Sequence, residues 1–404
     1  MFNGRGRLGN RSICELPASE AELTARIQLD TVPGLGPRRT SRLYRTFGSA
    51  SNVRKQNSRT LQAVEGIGPS LASGVVRTLK GPLTEASSEL KQYAESGALR
   101  LMGFPDTDYS VVLREIHSPP SLLWLKGTLT NLNQPCVAIV GTRRASAYGR
   151  RTAHRLAFEL ASEGVVVVSG LAYGIDAAAH EGALDAGGQT IAVLGSGVEE
   201  IYPRAHIALA ARVTGSGCLV SELHPRARPK PQHFPVRNRI ISGLCSALII
   251  VEAFERAGAL ITARSALDEG RDLYIVPGRI DEETSTGTNL SLLRGEGQIL
   301  CSVQQILTDY RERSLLAPET APREQTLPLS AGIGLRSAIE KVILEHLSQS
   351  EMHMDDLDHQ LDFPSSELWV ALLNLECDGL IRALPGNLYE ATGRSVNRAG
   401  KKRG

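Results

Sequence analysis

The chain has 404 residues, a formal net charge of +2 and an apolar share of 42%. This length predicts about two or three domains with a sizeable core, and the small net charge excludes a polycation that binds partners by bulk charge. The six cysteines form no CxxC pair, so the sequence predicts neither a metal site nor a disulfide framework. Residues 1–11 lack the apolar stretch of a signal peptide, and no apolar run is long enough to span a bilayer. We therefore expect a cytoplasmic protein without a membrane partner.

Residues 1–85 are basic and predict a helical domain with an internal repeat. Residues 32–37 (VPGLGP) recur as residues 64–69 (VEGIGP), each before a helical segment. The Gly-x-Gly turns resemble the helix-hairpin-helix motif, whose backbone N–H groups meet a DNA phosphate. Residues 31–60 hold seven Lys/Arg and no Asp/Glu, which favours a polyanion partner. A small helical bundle that contacts only proteins is the alternative, and the sequence leaves both open.

Residues 86–310 alternate short apolar runs with amphipathic segments. Six runs predict buried strands, namely 136–140, 165–168, 191–194, 218–220, 247–251 and 273–276. Short buried strands that alternate with helices indicate a Rossmann-like α/β domain, in which helices cover both faces of a parallel sheet. Ligands of such sheets bind beyond the carboxyl ends of the strands, so the residues that follow each run are the candidate site.

Glycines follow the first three runs at the start of a helix or turn. The residues concerned are Gly141-Thr142-Arg143, Ser169-Gly170 and Gly195-Ser196. Glycine permits close backbone approach, a helix N-terminus attracts anions, and arginine adds a fork of donors. The first turn alone is equally an ordinary strand-to-helix turn, but three such ends together predict one extended anion groove. After the second run, Asp176 is predicted to be a helix N-cap and His180 a packed or surface residue.

The fourth run leads into a basic segment, residues 224–239, with five Lys/Arg, two His and no acid. It contains Lys230 and ends in Phe234 and Arg237-Asn238-Arg239, directly before an apolar helix. Basic groups anchored to a buried helix are what a preorganised phosphate site needs. Phe234 is predicted either to stack on a base or to pack beneath the loop. Glu252, after the fifth run, is a candidate partner for an arginine of this segment.

Two enzyme classes are alternative functions for a protein with such a sheet. A dinucleotide site needs GxGxxG after the first strand and an acid at the end of the second, and both are missing here. A Rossmann-like nucleotide-processing hydrolase is the stronger alternative, because the carboxylates Asp176, Glu222 and Glu252 lie near strand ends. Glycoside hydrolysis normally requires two suitably placed carboxylates, and the surrounding basic density favours holding a polyanion instead.

An ordered set of motifs resembles the core of the DprA/Smf family. The set comprises GTR (141–143), SGLAYGID (169–176), TIAVLGSG (190–197), FPVRNRIISGL (234–244), GALITARSAL (258–267), GRDLYIVPG (270–278) and GTNLSLL (287–293). The resemblance implies a non-enzymatic, cofactor-free homodimer that binds and protects single-stranded DNA without sequence preference. It also implies that the protein helps to load RecA recombinase in natural transformation, with Arg143, Lys230, Arg237 and Arg239 as basic DNA contacts. The full predicted DNA-binding set is Gly141, Thr142, Arg143, Ser169, Gly170, Gly195, Ser196, Lys230, Phe234, Arg237, Asn238 and Arg239.

Residues 311–331 hold three prolines among polar residues and predict a linker. Residues 332–404 predict three helices and a hairpin, which resembles a winged helix, followed by a basic tail. Residues 333–392 contain eleven acidic and three basic residues, and this excess of negative charge repels a phosphate backbone. We therefore expect this domain to have a protein-binding or regulatory role.

Overall fold

The computed structural model describes residues 19–313, 315–316, 338–361, 363–384 and 388–392. Most of the predicted linker, the hairpin turn at 385–387 and the basic tail lie outside the described residues. The chain divides into two compact units, Met1–Pro318 and Glu319–Gly404. The finer domain boundaries at residues 85, 310 and 331 stay predictions.

Six helices open the first unit. They are α1 (Glu20–Asp30), α2 (Pro37–Phe47), α3 (Ala50–Arg54), α4 (Ser58–Leu61), α5 (Pro69–Lys80) and α6 (Glu85–Glu95). The two repeats place a proline at the first position of α2 and of α5, where its missing N–H costs nothing. Gly34 and Gly66 adopt φ values of 78° and 83°, which only glycine adopts readily, so the repeat forms two matching turns.

A nine-stranded sheet forms the centre of the first unit. In chain order its strands are β1 (Arg100–Gly103), β2 (Leu122–Gly127), β3 (Cys136–Val140), β4 (Val166–Ser169), β5 (Thr190–Val193), β6 (Cys218–Ser221), β7 (Ala247–Ile250), β8 (Asp272–Ile275) and β9 (Gln298–Ile299). Their spatial order is β1-β2-β6-β5-β4-β3-β7-β8-β9. The strands from β6 to β9 in this order are parallel, whereas β2 pairs antiparallel with β1 and with β6. Each predicted run overlaps a strand whose bounds agree with it within one residue, so the predicted α/β class is confirmed.

Helices connect the strands of the sheet. They are α7 (Val111–Glu115), α8 (Ala147–Ser162), α9 (Ile175–Asp185), α10 (Ile207–Ser216), α11 (His233–Gly243), α12 (Gly258–Asp268), α13 (Thr286–Leu293) and α14 (Val303–Glu312). Successive side chains of β3 alternate between two buried clusters, one with the apolar face of α8 and one with α11 and α12. Both faces of the sheet are therefore covered, which explains why its strands are almost continuously apolar.

The N-terminal helices share their core with the sheet. Leu43 and Tyr44 of α2 belong to the same buried cluster as Met102 of β1 and Phe104, and Tyr44 stacks on Phe104 with ring centroids 5.9 Å apart. Residues 1–85, predicted as a separate helical domain, thus lie against one face of the sheet within one compact unit.

The order of the strands reverses at β3. The chain runs outward from β3 through β4 and β5 to β6, then returns to β7 on the opposite side of β3. Such a reversal leaves a crevice at the carboxyl ends of the two central strands, because their connections leave in opposite directions. The crevice between β3 and β7 is the place where this fold binds ligands.

The second unit is a small α/β module. It contains α15 (Ala338–Gln349), β10 (Met352–His353), α16 (Met354–Gln360), α17 (Ser365–Cys377), β11 (Ile381–Leu384) and β12 (Leu388–Ala391). The three strands pair antiparallel in the order β10-β12-β11. Three helices and a hairpin were predicted, and the described residues contain them together with one short additional strand.

Candidate nucleic-acid interface

A cavity of about 740 Å³ opens at the crevice between β3 and β7. Its walls come from the turn after β3, the loop after β7, one face of α11 and the start of α12. Among the predicted DNA-binding residues, it brings together Gly141, Thr142, Arg143, Phe234, Arg237 and Asn238. The cavity therefore joins two motifs that lie about ninety residues apart in the chain, which is the arrangement that a topological switch point produces.

The turn after β3 is held by the chain beyond β7. The Thr142 N–H donates to the carbonyl oxygen of Glu252 over 2.7 Å. A Cβ at Gly141 would lie 2.5 Å from Ile175 and 2.9 Å from the same carbonyl oxygen, so only glycine fits. This packing leaves Arg143 exposed at the mouth of the cavity.

The N-terminus of α8 already holds an anion of the protein itself. The Glu252 carboxylate accepts hydrogen bonds from the Ser146 N–H, over 2.9 Å, and from the Ser146 hydroxyl, over 2.5 Å. Ser146 in turn caps the Gly149 N–H over 3.0 Å. The sequence analysis assigned this helix end to a phosphate and paired Glu252 with an arginine of the basic segment. The pairing with an arginine is wrong, because Glu252 bonds to Ser146 instead, and its negative charge at this helix N-terminus opposes a phosphate there.

Unpaired arginines surround the cavity mouth. Arg143 lies over the Phe234 ring with 5.3 Å between the guanidinium carbon and the ring centroid, and Arg144 lies over Phe254 at 5.9 Å. Arg256 also lines the cavity. Within the described part of the chain, these three exposed arginines form no ion pair with a carboxylate. Their charge is therefore available to a ligand, and the carboxylates Asp176 and Glu283 also line the cavity.

Helix α11 divides the basic segment between two sides. Phe234, Arg237, Asn238 and Ile241 follow the spacing of one helix face, and this face lines the cavity. Arg239 lies about 200° further around the helix than Arg237 and points the other way. The sequence analysis began this helix at Ile240, and the earlier start at His233 is what separates the two arginines.

Arg237 is buried and serves the fold. Its guanidinium donates to the Gly170 carbonyl oxygen over 3.0 Å and to the Val193 carbonyl oxygen. Burial lowers the pKa of Arg237 to about 10, and the negative charge of Asp176 opposes this shift. The side chain is therefore charged at neutral pH and joins the ends of β4 and β5 beneath the cavity. Its Nε is buried and has no hydrogen-bond partner in the structure described.

Arg239 is engaged outside the cavity. It forms an ion pair with Glu222 and donates to the Ser118 carbonyl oxygen over 2.7 Å. The predicted direct DNA contact of Arg239 is therefore not supported by its position, because both of its terminal guanidinium nitrogens already have partners. Lys230 is exposed and does not line the cavity, and its side chain makes no hydrogen bond or ion pair with the described residues.

Four predicted contacts lie beneath the surface. The Ser169 hydroxyl donates to the Ile139 carbonyl oxygen over 2.7 Å, and the Ser196 hydroxyl donates to the Glu200 carbonyl oxygen over 2.5 Å. A Cβ at Gly170 would lie 2.4 Å from the Arg237 guanidinium, and one at Gly195 would lie 2.8 Å from the Phe234 ring. The two glycines leave room for the Arg237 and Phe234 side chains that line the cavity. The two serines bond to backbone carbonyl oxygens beneath it.

Asp176 lies inside the first turn of α9 and not at its N-cap. The cap is Gly174, with φ of 80°, and a Cβ there would meet the Thr142 carbonyl oxygen at 2.4 Å. The Asp176 carboxylate accepts from the Ala172 N–H over 3.3 Å and lines the cavity. Burial raises its pKa, and Arg237 opposes that change. The predicted N-cap role is therefore wrong, whereas His180 is packed in the core as expected.

The sequence analysis missed several residues of the cavity wall. Tyr202 is 46% exposed and packs against Phe234 with 5.7 Å between ring centroids. Arg144, Phe254 and Arg256 were also overlooked. Their positions could have identified them, since Arg144 follows the Gly141-Thr142-Arg143 turn and the other two lie within five residues after the run 247–251. Phe234 keeps both predicted roles open, because it packs on Gly195 and also faces the cavity.

Among the described residues, no group of three or more His, Cys, Asp or Glu side chains is placed to hold a metal ion. None of the described helices is both long and apolar enough to cross a membrane.

Comparison with known families divides the chain into three matched regions. Residues 100–311 match the family described as DNA recombination-mediator protein A. Residues 27–80 match a SAM-like helix-hairpin-helix tandem, and residues 318–387 match the DprA winged helix domain. The first of these matches spans more than half of the chain.

Individual relatives agree with these matches. The chain is 37% identical over 227 residues to the DNA processing protein DprA of Bacillus subtilis, covering 56% of this chain and 76% of that protein. It is 30% identical over 391 residues to the Smf protein of Synechocystis, covering 89% and 96%. The X-ray structure of DprA from Streptococcus pneumoniae superposes with a TM-score of 0.60 at 30% identity, covering 73% of this chain and 99% of the other.

Proposed function

The chain belongs to the DprA/Smf family of DNA recombination mediators, and from this premise we propose that it binds single-stranded DNA in the cavity between β3 and β7. The observation that carries the proposal is the set of unpaired, exposed arginines at the cavity mouth, Arg143, Arg144 and Arg256. Positive groups without protein partners are free to replace the counterions of a phosphate backbone.

The cavity suits a single strand because it combines charge with aromatic surface. Phe234 and Tyr202 lie against each other in the wall, and Arg143 covers the Phe234 ring. Unpaired bases stack on such rings in single-strand binders, whereas the bases of a duplex stay stacked on one another. Phosphate contacts carry no sequence information, so we propose binding without sequence preference.

The structure changes which residues we propose as contacts. Arg143, Phe234 and Asn238 are the predicted residues that face the cavity with accessible side chains. We propose that Lys230 contributes long-range attraction from the exposed loop before α11. Gly141, Thr142, Ser169, Gly170, Gly195, Ser196 and Arg237 position the site from beneath, and Arg239 holds α11 through Glu222.

Reversing one arginine tests the site. Arg143→Glu should weaken binding to a mixed-sequence oligonucleotide at least about tenfold at moderate salt, because an attraction to phosphate becomes a repulsion. Its dependence of log affinity on log salt should also become less steep than that of the unmodified protein. Fluorescence anisotropy at two salt concentrations measures both effects.

Arg155→Glu is the matched control for this change. Arg155 lies on α8, the helix that follows the Arg143 turn, and its side chain is 66% exposed and does not line the cavity. The control should retain binding. Equal affinity of Arg143→Glu and the unmodified protein would remove the cavity as the DNA site.

We also propose that the protein acts as a recombinase mediator and as a homodimer. The edge strand β9 offers unpaired backbone groups, and the apolar side chains Leu293 and Ile299 near it are 82% and 50% exposed. Exposed edges and apolar side chains favour self-association. Sedimentation of Leu293→Glu tests the dimer, and RecA filament growth on single-stranded DNA covered by a binding protein tests the mediator role.

The hydrolase alternative depends on Asp176, because Glu222 and Glu252 are committed to Arg239 and Ser146. Incubation with nucleoside monophosphates distinguishes the two functions. Release of free base that is lost in Asp176→Asn would support catalysis and contradict a purely binding role.

A further inference from the structure

The longest helix of the second unit exposes an apolar stripe. On α17, Trp369, Val370 and Leu373 are 49%, 59% and 59% exposed. At about 100° per residue they fall within an arc of about 100°. The buried side chains of α17, which hold it in its own core, lie on the other side. Large apolar groups clustered on one exposed helix face are typical of a protein-binding surface.

Acidic groups border this stripe on both sides. Glu376 lies at about −20° from Trp369 on the helical wheel, and Glu367 lies at about 160°, beyond the other edge. Glu340 of α15 reaches the same side as Glu367, because it accepts a hydrogen bond from Asn374 over 3.2 Å. The sequence of α17 contains no Lys or Arg.

A DNA-reading helix needs the opposite character. Contacts to phosphates and base edges come mostly from Arg, Lys and amide side chains. In α17 the exposed surface offers apolar groups and carboxylates, so the helix repels a phosphate backbone and has large side chains to insert into a protein partner. Tryptophan is among the residues that contribute most at protein interfaces.

We propose that the exposed face of α17 binds a basic amphipathic helix of another protein. The apolar residues of such a helix, at i, i+3, i+4 and i+7, would cover Trp369, Val370 and Leu373. Its Lys and Arg side chains would lie against Glu340, Glu367 and Glu376. Charge complementarity selects this partner over an acidic or a neutral one. The inference does not depend on the DNA cavity, because all of its groups belong to the second unit.

Tryptophan fluorescence of the full-length chain provides a direct measurement. The chain has two tryptophans, and Trp124 is 3% exposed whereas Trp369 is 49% exposed. The probe is a tryptophan-free synthetic peptide of about 18 residues with Leu at helical spacing and Lys elsewhere. Its binding should shift the Trp369 emission to the blue, and Trp369→Phe should lose the shift. A peptide with Glu in place of Lys, and one with Ser in place of Leu, should not bind.

Two sets of variants locate the site. Val370→Ser with Leu373→Ser, and separately Glu367→Gln with Glu376→Gln, should each weaken peptide binding at least about tenfold. Ile207→Ser is the control, because Ile207 is 56% exposed but belongs to the first unit. All of these variants should bind single-stranded DNA as the unmodified protein does, so failure here is separate from failure of the DNA proposal.

Three results would overturn the inference. The first is an unchanged Trp369 spectrum with the Lys/Leu peptide. The second is binding of the Ser-substituted peptide with the same affinity as the Lys/Leu peptide. This would mean that the charge of the peptide, and not its apolar face, causes the binding. The third is peptide binding that appears only after residues 393–404 are removed. The occupant of the exposed α17 face would then be the basic tail of the chain itself and not another protein.

Discussion

Arg143, Arg237 and Arg239 show that identical side chains in one predicted site serve different purposes. Arg143 is exposed and unpaired in the described structure, Arg237 is buried against two carbonyl oxygens, and Arg239 is paired with Glu222. A guanidinium already satisfied by the protein gives up those bonds if it binds a ligand, whereas a free one does not. Residue type alone therefore predicted a basic site but not which cation is available.

The glycine at position 170 should be essential for stability. In Gly170→Ala the new Cβ would lie 2.4 Å from the Arg237 guanidinium, so the arginine must leave its carbonyl partners. We expect a loss of about 1–3 kcal/mol in the free energy of unfolding, measured by urea denaturation. Gly215→Ala on α10 is the control, since a Cβ there meets nothing within 4 Å, and it should be neutral or slightly stabilising. Equal stability of the two variants would contradict the assigned packing.

At the scale of elements, the residue at which α11 begins determines the direction in which its side chains point. Because α11 begins at His233, the Arg237-Asn238-Arg239 segment lies within the helix and its arginines point to opposite sides. Similarly, the positive end of the α8 dipole lies beside the Glu252 carboxylate, which follows β7 on the other side of the crevice. The anion site that we propose therefore depends on side chains and not on the dipole of α8.

Helix α9 makes the fold sensitive to acid. His180 is fully buried, with Nδ1 2.7 Å from the Thr190 hydroxyl, and burial lowers its pKa from 6.5 to about 3. Between these values the unfolded chain binds a proton that the folded chain excludes, so stability falls as the pH decreases. This group alone should contribute up to about 1.4 kcal/mol per pH unit in that range.

Replacement of the imidazole tests this sensitivity. In His180→Gln the slope of unfolding free energy against pH between pH 6.5 and about pH 3 should be smaller than in the unmodified protein, because the variant cannot take up this proton. The comparison cancels the contributions of Asp176 and Asp30, whose pKa values burial raises. Denaturant unfolding at several pH values gives both slopes, and parallel slopes would contradict the prediction.

At the scale of the whole molecule, a buried ion network ties the N-terminal helices to the sheet. Arg26 of α1 donates to the Asp106 carboxylate over 2.9 and 2.6 Å and to Glu22 over 2.9 Å. Glu22 in turn accepts from the Ala50 and Ser51 N–H groups at the start of α3. Helix α1, helix α3 and the segment after β1 are therefore held through one guanidinium.

Loss of that guanidinium should destabilise both parts together. Arg26→Met removes the cation from buried Glu22 and partly buried Asp106 and should cost about 3 kcal/mol. Because the helices and the sheet share one core, residues 19–313 should still unfold in one transition. Circular dichroism follows all helices, including the N-terminal ones, and Trp124 fluorescence in a Trp369→Phe background follows the sheet during urea denaturation, with exposed Arg77→Ala as control. Separate midpoints would show that the N-terminal helices form an independent domain.

The sequence by itself determined the α/β class and the six central strands within one residue, and it predicted a ligand site at the carboxyl ends of those strands. These features follow from local patterns, because buried strands are short apolar runs and ligands bind where such strands end. Only the tertiary structure decided that Arg143 is free, that Glu252 occupies the α8 N-terminus and that residues 1–85 pack on the sheet. Each of these depends on groups far apart in the chain, whose approach is set by packing and not by any local period.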